Sequence, residues 1–233
     1  MSVDAATFET GSRRISSPPL SRTVREAIAF LTLSPPLSLD NLPRGDGRAV
    51  LVLPPWFCGD PRTAKMRVAL TSLGYAVAGW GLGVNLGPTP RLLEGAAERL
   101  NTLFEARGPV TLVGFSMGGL FARWLGQTMP DRVRSIVTVG SPIRDPMHSF
   151  WLPVAPFARF WRGVDVAALA EQVAGPMAVP VTALFTPDDG LVDPAACYDE
   201  AAGAENNIAY RGGHVVMACN QEVLTILARR LPL

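Results

Sequence analysis

Short apolar runs of strand length recur along this chain with helix-length segments between them, and that alternation restricts the fold more than any other feature. The first run, Ala49-Val50-Leu51-Val52-Leu53, follows a turn at Gly45-Asp46-Gly47 and is continuously apolar, as a strand covered on both faces must be. Tyr75 to Gly79, Pro109 to Val113, Ser135 to Val139, Val181 to Phe185 and Asn207 to Tyr210 continue the series, giving about six strands. Between them, Pro61 to Leu73, Pro90 to Ala106 behind a Thr89 cap, Met117 to Gln127, Pro194 to Ala201 and Val215 to Arg230 read as helices. Strands separated by helices impose right-handed crossovers, hence an α/β class with a mostly parallel sheet and helices on both faces. Reactive groups in such sheets collect in loops beyond the carboxyl ends of the strands.

The remaining segments set the domain plan. Residues 1–20 are polar, end in Ser16-Ser17-Pro18-Pro19 and read as a flexible or loosely docked arm. Ser21 then looks like a cap for a helix from Arg22 to Leu33, stopped by Pro35 and Pro36. Residues 21–233 make one domain, with an interruption of the alternation at about 141–178. At 48% hydrophobic and 18% charged residues, the chain buries a large core.

Net charge is +1, which provides no clustered basic footprint for nucleic acid. No run approaches the ~18–20 apolar residues of a membrane span, and the N-terminus lacks a clear cleavage site, so a cytoplasmic protein is expected. Three cysteines, Cys58, Cys197 and Cys219, fit neither a metal-ligand spacing nor a disulfide framework. Reduced thiols are the simpler reading, with a Cys197–Cys219 bridge as the alternative. Only two histidines exist, His148 and His214, which argues against a zinc site and narrows the search for a general base.

The motif Gly114-Phe115-Ser116-Met117-Gly118-Gly119 carries the chemistry. Gly-x-Ser-x-Gly alone is a weak pattern, but here an apolar strand leads in and a helix bearing Leu120, Phe121, Trp124 and Leu125 leads out. A serine on a sharp strand-to-helix turn needs unusual backbone angles, and side chains two before and two after would collide; Gly114 and Gly118 remove them. The bland reading is a glycine-rich turn that lets a helix pack close to the sheet.

A serine hydroxyl is a weak nucleophile until a base takes its proton. His214, after the Arg211-Gly212-Gly213 turn, is the candidate base; His148, amid polar and aromatic residues, fits a surface or substrate-facing place better. The acid should follow a strand between nucleophile and base, where Phe185-Thr186-Pro187-Asp188-Asp189-Gly190-Leu191-Val192 offers two adjacent carboxylates. Asp189 is favoured, because a carboxylate before a glycine and an anchoring apolar pair can turn back toward the histidine. Asp188 is second and Asp145 third.

The order Ser, Asp, His on this strand-helix pattern, from Arg48 to the C-terminus, resembles the α/β-hydrolase family, with an esterase or lipase-like flavour. The resemblance implies nucleophilic attack, an acyl-enzyme and hydrolysis by water, with a small-molecule ester substrate and neither cofactor nor metal. It also implies two oxyanion donors. One is the amide of Met117, and the other comes from the loop after the first strand, where many relatives carry His-Gly. Here the loop reads Pro54-Pro55-Trp56-Phe57; proline has no N–H, so Trp56 is the choice and Phe57 the second.

Family members carry a cap where the interruption at 141–178 falls. It holds Phe150, Trp151, Phe157, Phe160 and Trp161, read either as an apolar acyl pocket or as a segment fastened to the body. Phe150, Trp151, Phe157 and Trp161 form the expected substrate-binding set with Phe57, suited to an apolar acyl or aryl group. The same residues would serve an acyltransferase or thioesterase, and a non-catalytic ligand-binding protein of this fold is the rival of another class.

Overall fold

The computed structural model of the protein describes residues 15–31, 35–149 and 161–231, so most of the expected N-terminal arm lies outside the described residues. Among these, β1 (Ala49–Leu53), β2 (Ala76–Gly79), β3 (Val110–Phe115), β4 (Val133–Val139), β5 (Val181–Phe185) and β6 (Asn207–Ala209) form one sheet. Their order is β2-β1-β3-β4-β5-β6 and every neighbouring pair is parallel. The helices are α1 (Leu20–Leu31), α2 (Asp60–Ser72), α3 (Pro90–Arg107), α4 (Met117–Thr128), α5 (Val166–Ala174), α6 (Pro194–Cys197) and α7 (Gln221–Arg230).

The period-two geometry of a strand explains why β1 is apolar throughout. Val50 and Val52 enter one core with Met66 and Leu70 of α2 and Leu224 and Leu227 of α7. Leu51 and Leu53 enter another on the opposite face, with Leu92 and Leu100 of α3 and Phe121 and Leu125 of α4. Each such leucine contributes about 1.5–3 kcal/mol by leaving water. The expected Thr89 cap is present: its side chain accepts from Leu92 N, and α3 ends at Gly108 with φ 74°.

The chain passes from β1 out to β2 and then back across β1 to β3, so the loops leaving β1 and β3 diverge and open a crevice between them. Register fixes what meets there. Leu53 pairs with Gly114, Phe115 with Val139, Val139 with Leu184, and Phe185 with Ala209. The loops starting at residues 54, 116, 140, 186 and 210 thus stand side by side along one edge of the sheet.

Three segments depart from the sequence reading. Ser21 does not cap α1; the helix begins at Leu20, and the Pro19 carbonyl accepts the first bonds, from Arg22 N and Thr23 N. The helix expected from Pro194 to Ala201 stops at Cys197, because buried Asn207 exchanges bonds with the Asp199 backbone (2.8 and 2.7 Å). The closing helix starts at Gln221 rather than Val215. Asn220 caps it by accepting from Glu222 N and Val223 N, and residues 214–219 form tight turns instead. Their backbone is held from outside: Glu26 accepts from His214 N and Val215 N, and Arg62 donates to the Val215 carbonyl. At the other end, Ile15 packs beside Phe185 and Val192, and Ser16 N donates to Asp193 Oδ2 at 2.9 Å.

Candidate active site

Ser116 sits between β3 and α4 at φ 52°, ψ −121°, a left-handed conformation that non-glycine residues adopt at a cost of about 1–3 kcal/mol. Its amide donates to the Val139 carbonyl at 2.8 Å, which ties the turn to β4. The flanking glycines are sterically required. A β-carbon on Gly114 would strike the backbone of Gly118 and Gly119, and one on Gly118 would strike the Leu53 carbonyl. Gly119 is equally confined by the Ser141 hydroxyl.

The loop after β5 carries the candidate acid. Asp189 is 1% exposed, and its Oδ1 accepts from Leu191 N and Val192 N, both at 2.8 Å. Its Oδ2 meets His214 Nδ1 at 2.7 Å. That pairing fixes the tautomer: Nδ1 carries the proton toward the carboxylate and leaves Nε2 as acceptor. Asp188 next to it is exposed, with its amide bonded to Thr186 Oγ1 at 3.2 Å. Asp145 binds His148 at 2.7 Å in an exposed surface pair. Of the three candidate acids, Asp189 is the one bonded to His214.

The imidazole of His214 lies against Gly140, at the end of the strand that neighbours Ser116, and a β-carbon there would stand 3.2 Å from Nδ1. Ser116 and His214 line one cavity with Pro55, Trp56, Arg62 and Leu191, with an empty volume of about 580 Å³ including the solvent at its mouth. Burial by itself draws the imidazole's affinity for protons down. The Asp189 charge and hydrogen bond, joined by the Glu26 charge, outweigh burial and the opposing Arg62, so His214 titrates above its ordinary 6.5. Cys58, in the same cavity, is pushed up by burial against a smaller Arg62 effect, which keeps it a protonated thiol at neutral pH. All three cysteines are free.

Met117 is the first residue of α4, where an amide has no carbonyl within the helix to bond and the helix dipole is positive. In the loop after β1, Phe57 has φ 56° and gives its N–H to the Asn85 carbonyl at 2.8 Å. That engagement removes it as the alternative oxyanion donor. The Phe57 ring is half exposed and stacks on Trp56 at 4.5 Å. Trp56 is buried and stands 6.1 Å from the ring of Trp161.

Trp161 and Met117 belong to a second cavity of about 480 Å³, its open mouth included. Its walls also include Phe121, Trp124, Leu169 and Val173, and no polar surface faces it. The Trp161 indole N–H is engaged by the Leu86 carbonyl at 2.8 Å, so the ring presents only its apolar body. Phe150, Trp151, Phe157 and Phe160 lie outside the described residues.

Sequence reasoning missed three residues that shape the site. Asn85 is fully buried and donates to the Pro54 carbonyl at 2.8 Å, lacing residues 83–87 to the Pro54–Cys58 loop. Arg62 lines the Ser116 cavity. Glu26, 3% exposed on α1, reaches the backbone of the His214 loop. The three are polar and lie outside any motif, and nothing local marks them.

The comparisons with known proteins agree with this architecture. The profile of the α/β-hydrolase fold matches residues 106–176, the stretch from β3 through the Ser116 turn to α5. No curated protein sequence matches the chain. Among solved structures, a metagenome-derived lipolytic enzyme is similar at 17% identity and TM-score 0.63, over 82% of this chain and 94% of that one. The monoacylglycerol lipase of Paleococcus ferrophilus is similar at 16% identity and TM-score 0.59, over 82% and 96%. A thioesterase domain from the curacin biosynthetic pathway is similar at 15% identity and TM-score 0.53, over 81% and 93%. With six parallel strands in this order and Ser116 at the turn after β3, the chain has the α/β-hydrolase fold.

Proposed function

We propose that the protein is a serine hydrolase that cleaves carboxylic esters bearing an apolar acyl or aryl group. The observation that carries this reading is the buried 2.7 Å bond between Asp189 and His214, with His214 and Ser116 lining one cavity. Ser116 Oγ attacks the carbonyl carbon while its proton passes to His214 Nε2. The imidazolium is stabilised by Asp189, and the amides of Met117 and Trp56 receive the oxyanion, each such donor contributing about 3–4 kcal/mol. The C–O bond of the ester then breaks, His214 returns the proton to the departing alkoxide, and the acyl group remains on Ser116. Water repeats the sequence: it gives a proton to His214 as it attacks, and the acid leaves as the proton returns to Ser116.

The cavity between α4 and α5 supports an apolar acyl group, since it begins at Met117 beside the nucleophile and its walls carry no polar surface. Lipolytic enzymes and a thioesterase domain among the structural neighbours fit ester or thioester substrates. The test is hydrolysis of p-nitrophenyl esters of graded chain length by wild type and Ser116→Ala, with fluorophosphonate labelling in parallel. Turnover and labelling that vanish in the variant are expected. A folded protein that neither turns over nor labels is instead a binding protein of the same fold, and faster turnover of matched thioesters moves the substrate class to thioesterase.

A further inference from the structure

We propose that Glu26 is a positioning residue for this site, its buried carboxylate holding the acid-bearing and base-bearing loops in fixed relation from α1. The proposal rests on the reading of Ser116, Asp189 and His214 as the reacting set.

Three backbone donors converge on this carboxylate. Oε1 accepts from His214 N at 2.5 Å and from Gly190 N at 3.2 Å, and Oε2 accepts from Val215 N at 2.9 Å. Two of them belong to the candidate base and its neighbour, and the third belongs to the residue after the candidate acid. One side chain therefore holds the loops at both ends of the Asp189–His214 pair, bonding residues 164 and 188 positions away in sequence.

The rest of α1 reinforces the hold. Thr23 Oγ1 donates to the Gly190 carbonyl at 2.8 Å and Arg22 Nη1 to the Pro187 carbonyl at 2.7 Å. The fit leaves no room for a β-carbon at Gly190 or Gly213 with Glu26 and α1 in place. A β-carbon on Gly190 would lie 2.5 Å from the Arg22 carbonyl oxygen, and one on Gly213 would lie 2.6 Å from Glu26 Oε2.

A carboxylate suits this place better than any neutral group of its shape. It offers acceptors on both oxygens, whereas a glutamine would turn an NH2 toward one set of N–H donors. Its charge also faces the imidazole. The charged and titratable groups around His214 are Asp189 from the loop after β5, Glu26 from α1 and Arg62 from α2, and the Glu26 charge also acts on buried Tyr210. Asp189 governs the ring directly, and Glu26 adds to the hold on its proton.

The experiment compares Glu26→Gln and Glu26→Asp with wild type by full kinetics across pH, with Ser116→Ala as reference. For E26Q, we expect kcat to fall at least about tenfold with KM little changed, as loss of alignment without loss of binding requires. The acid limb of kcat/KM should move to lower pH, because the Glu26 charge that helps hold the His214 proton is gone. E26D keeps the charge and should hold the limb at its wild-type position while kcat falls, which preserves the test if E26Q does not fold. Wild-type kcat and limb in folded E26Q overturn the proposal. A loss of kcat with the limb unmoved also overturns it, because a merely structural tie would do the same. If Ser116→Ala retains turnover, the underlying reading of the site fails instead, and the two failures are told apart.

Discussion

Replacing Asp189 with asparagine exchanges one acceptor for a donor at the point where the carboxylate meets the imidazole. The new side chain has two orientations. With its oxygen toward Leu191 N and Val192 N it preserves both 2.8 Å loop bonds and turns its NH2 toward His214 Nδ1. The flipped orientation restores an acceptor for Nδ1 but aims the NH2 at two buried N–H groups, which costs about 1–3 kcal/mol for each donor left unpaired. The first orientation therefore wins by several kcal/mol, and the imidazole must carry its proton on Nε2, where it cannot receive one from Ser116. The expected loss is on the order of 10⁴ in kcat, or about 5 kcal/mol of transition-state stabilisation. Because the loop bonds survive, the thermal midpoint should fall by only a few degrees. The assay is kcat and KM on a p-nitrophenyl ester, with circular dichroism to verify folding and Asp188→Asn as an exposed control that should stay within about twofold of wild type. A folded D189N that keeps more than a tenth of wild-type kcat/KM refutes the argument.

The raised titration of His214 sets the direction of two pH effects. The acid limb of kcat/KM should have its midpoint above 6.5, since the base acts only when neutral. For stability the sign is opposite: a value raised above that of the unfolded chain adds stability that is fully present below about pH 6.5 and is lost as pH rises through the folded value. Calorimetry across that window should show the loss in wild type and a flatter profile in His214→Gln. Gly118→Ala places a β-carbon against the Leu53 carbonyl, and urea denaturation should register about 3 kcal/mol of destabilisation together with loss of fluorophosphonate labelling. Arg123, fully buried, pairs with Asp199 and donates to the Val173 and Gly175 carbonyls. Arg123→Met strands that carboxylate and should cost about 3–5 kcal/mol, and adding Asp199→Asn should recover part of it.

Where the architecture rests on local pattern, the amino-acid sequence makes it legible. β1 reads as a covered strand because both its faces are covered, and Ser116 stands out because strand, glycines and helix surround it within a dozen residues. Asp189 and His214 are approachable because each lies just beyond a strand, in the loops where a parallel sheet gathers its polar groups. What escapes the sequence is decided at long range. Val215 to Ala218 has the composition of a helix, yet Glu26 and Arg62 hold its first backbone groups and Asn220 supplies the helix start. Nothing in the sequence of α4 marks Arg123 as buried, and only the approach of Asp199 and the end of α5 accounts for a guanidinium there. The Phe57 amide is eligible as a donor on sequence alone, and it is Asn85, from a different loop, that holds it.

That last contact has a wider bearing. Phe57 N bonds the Asn85 carbonyl, Asn85 N bonds the Cys58 carbonyl, both at 2.8 Å, and the Asn85 amide group bonds Pro54. Residues 54–58 and 83–87 are consequently one mechanical piece made from two stretches of chain. Anyone recombining this protein with a relative should move both stretches or neither. A hybrid that takes one alone would inherit a mismatched partner in the wall of the Ser116 cavity, and changes that restore the fit would be found in the other stretch.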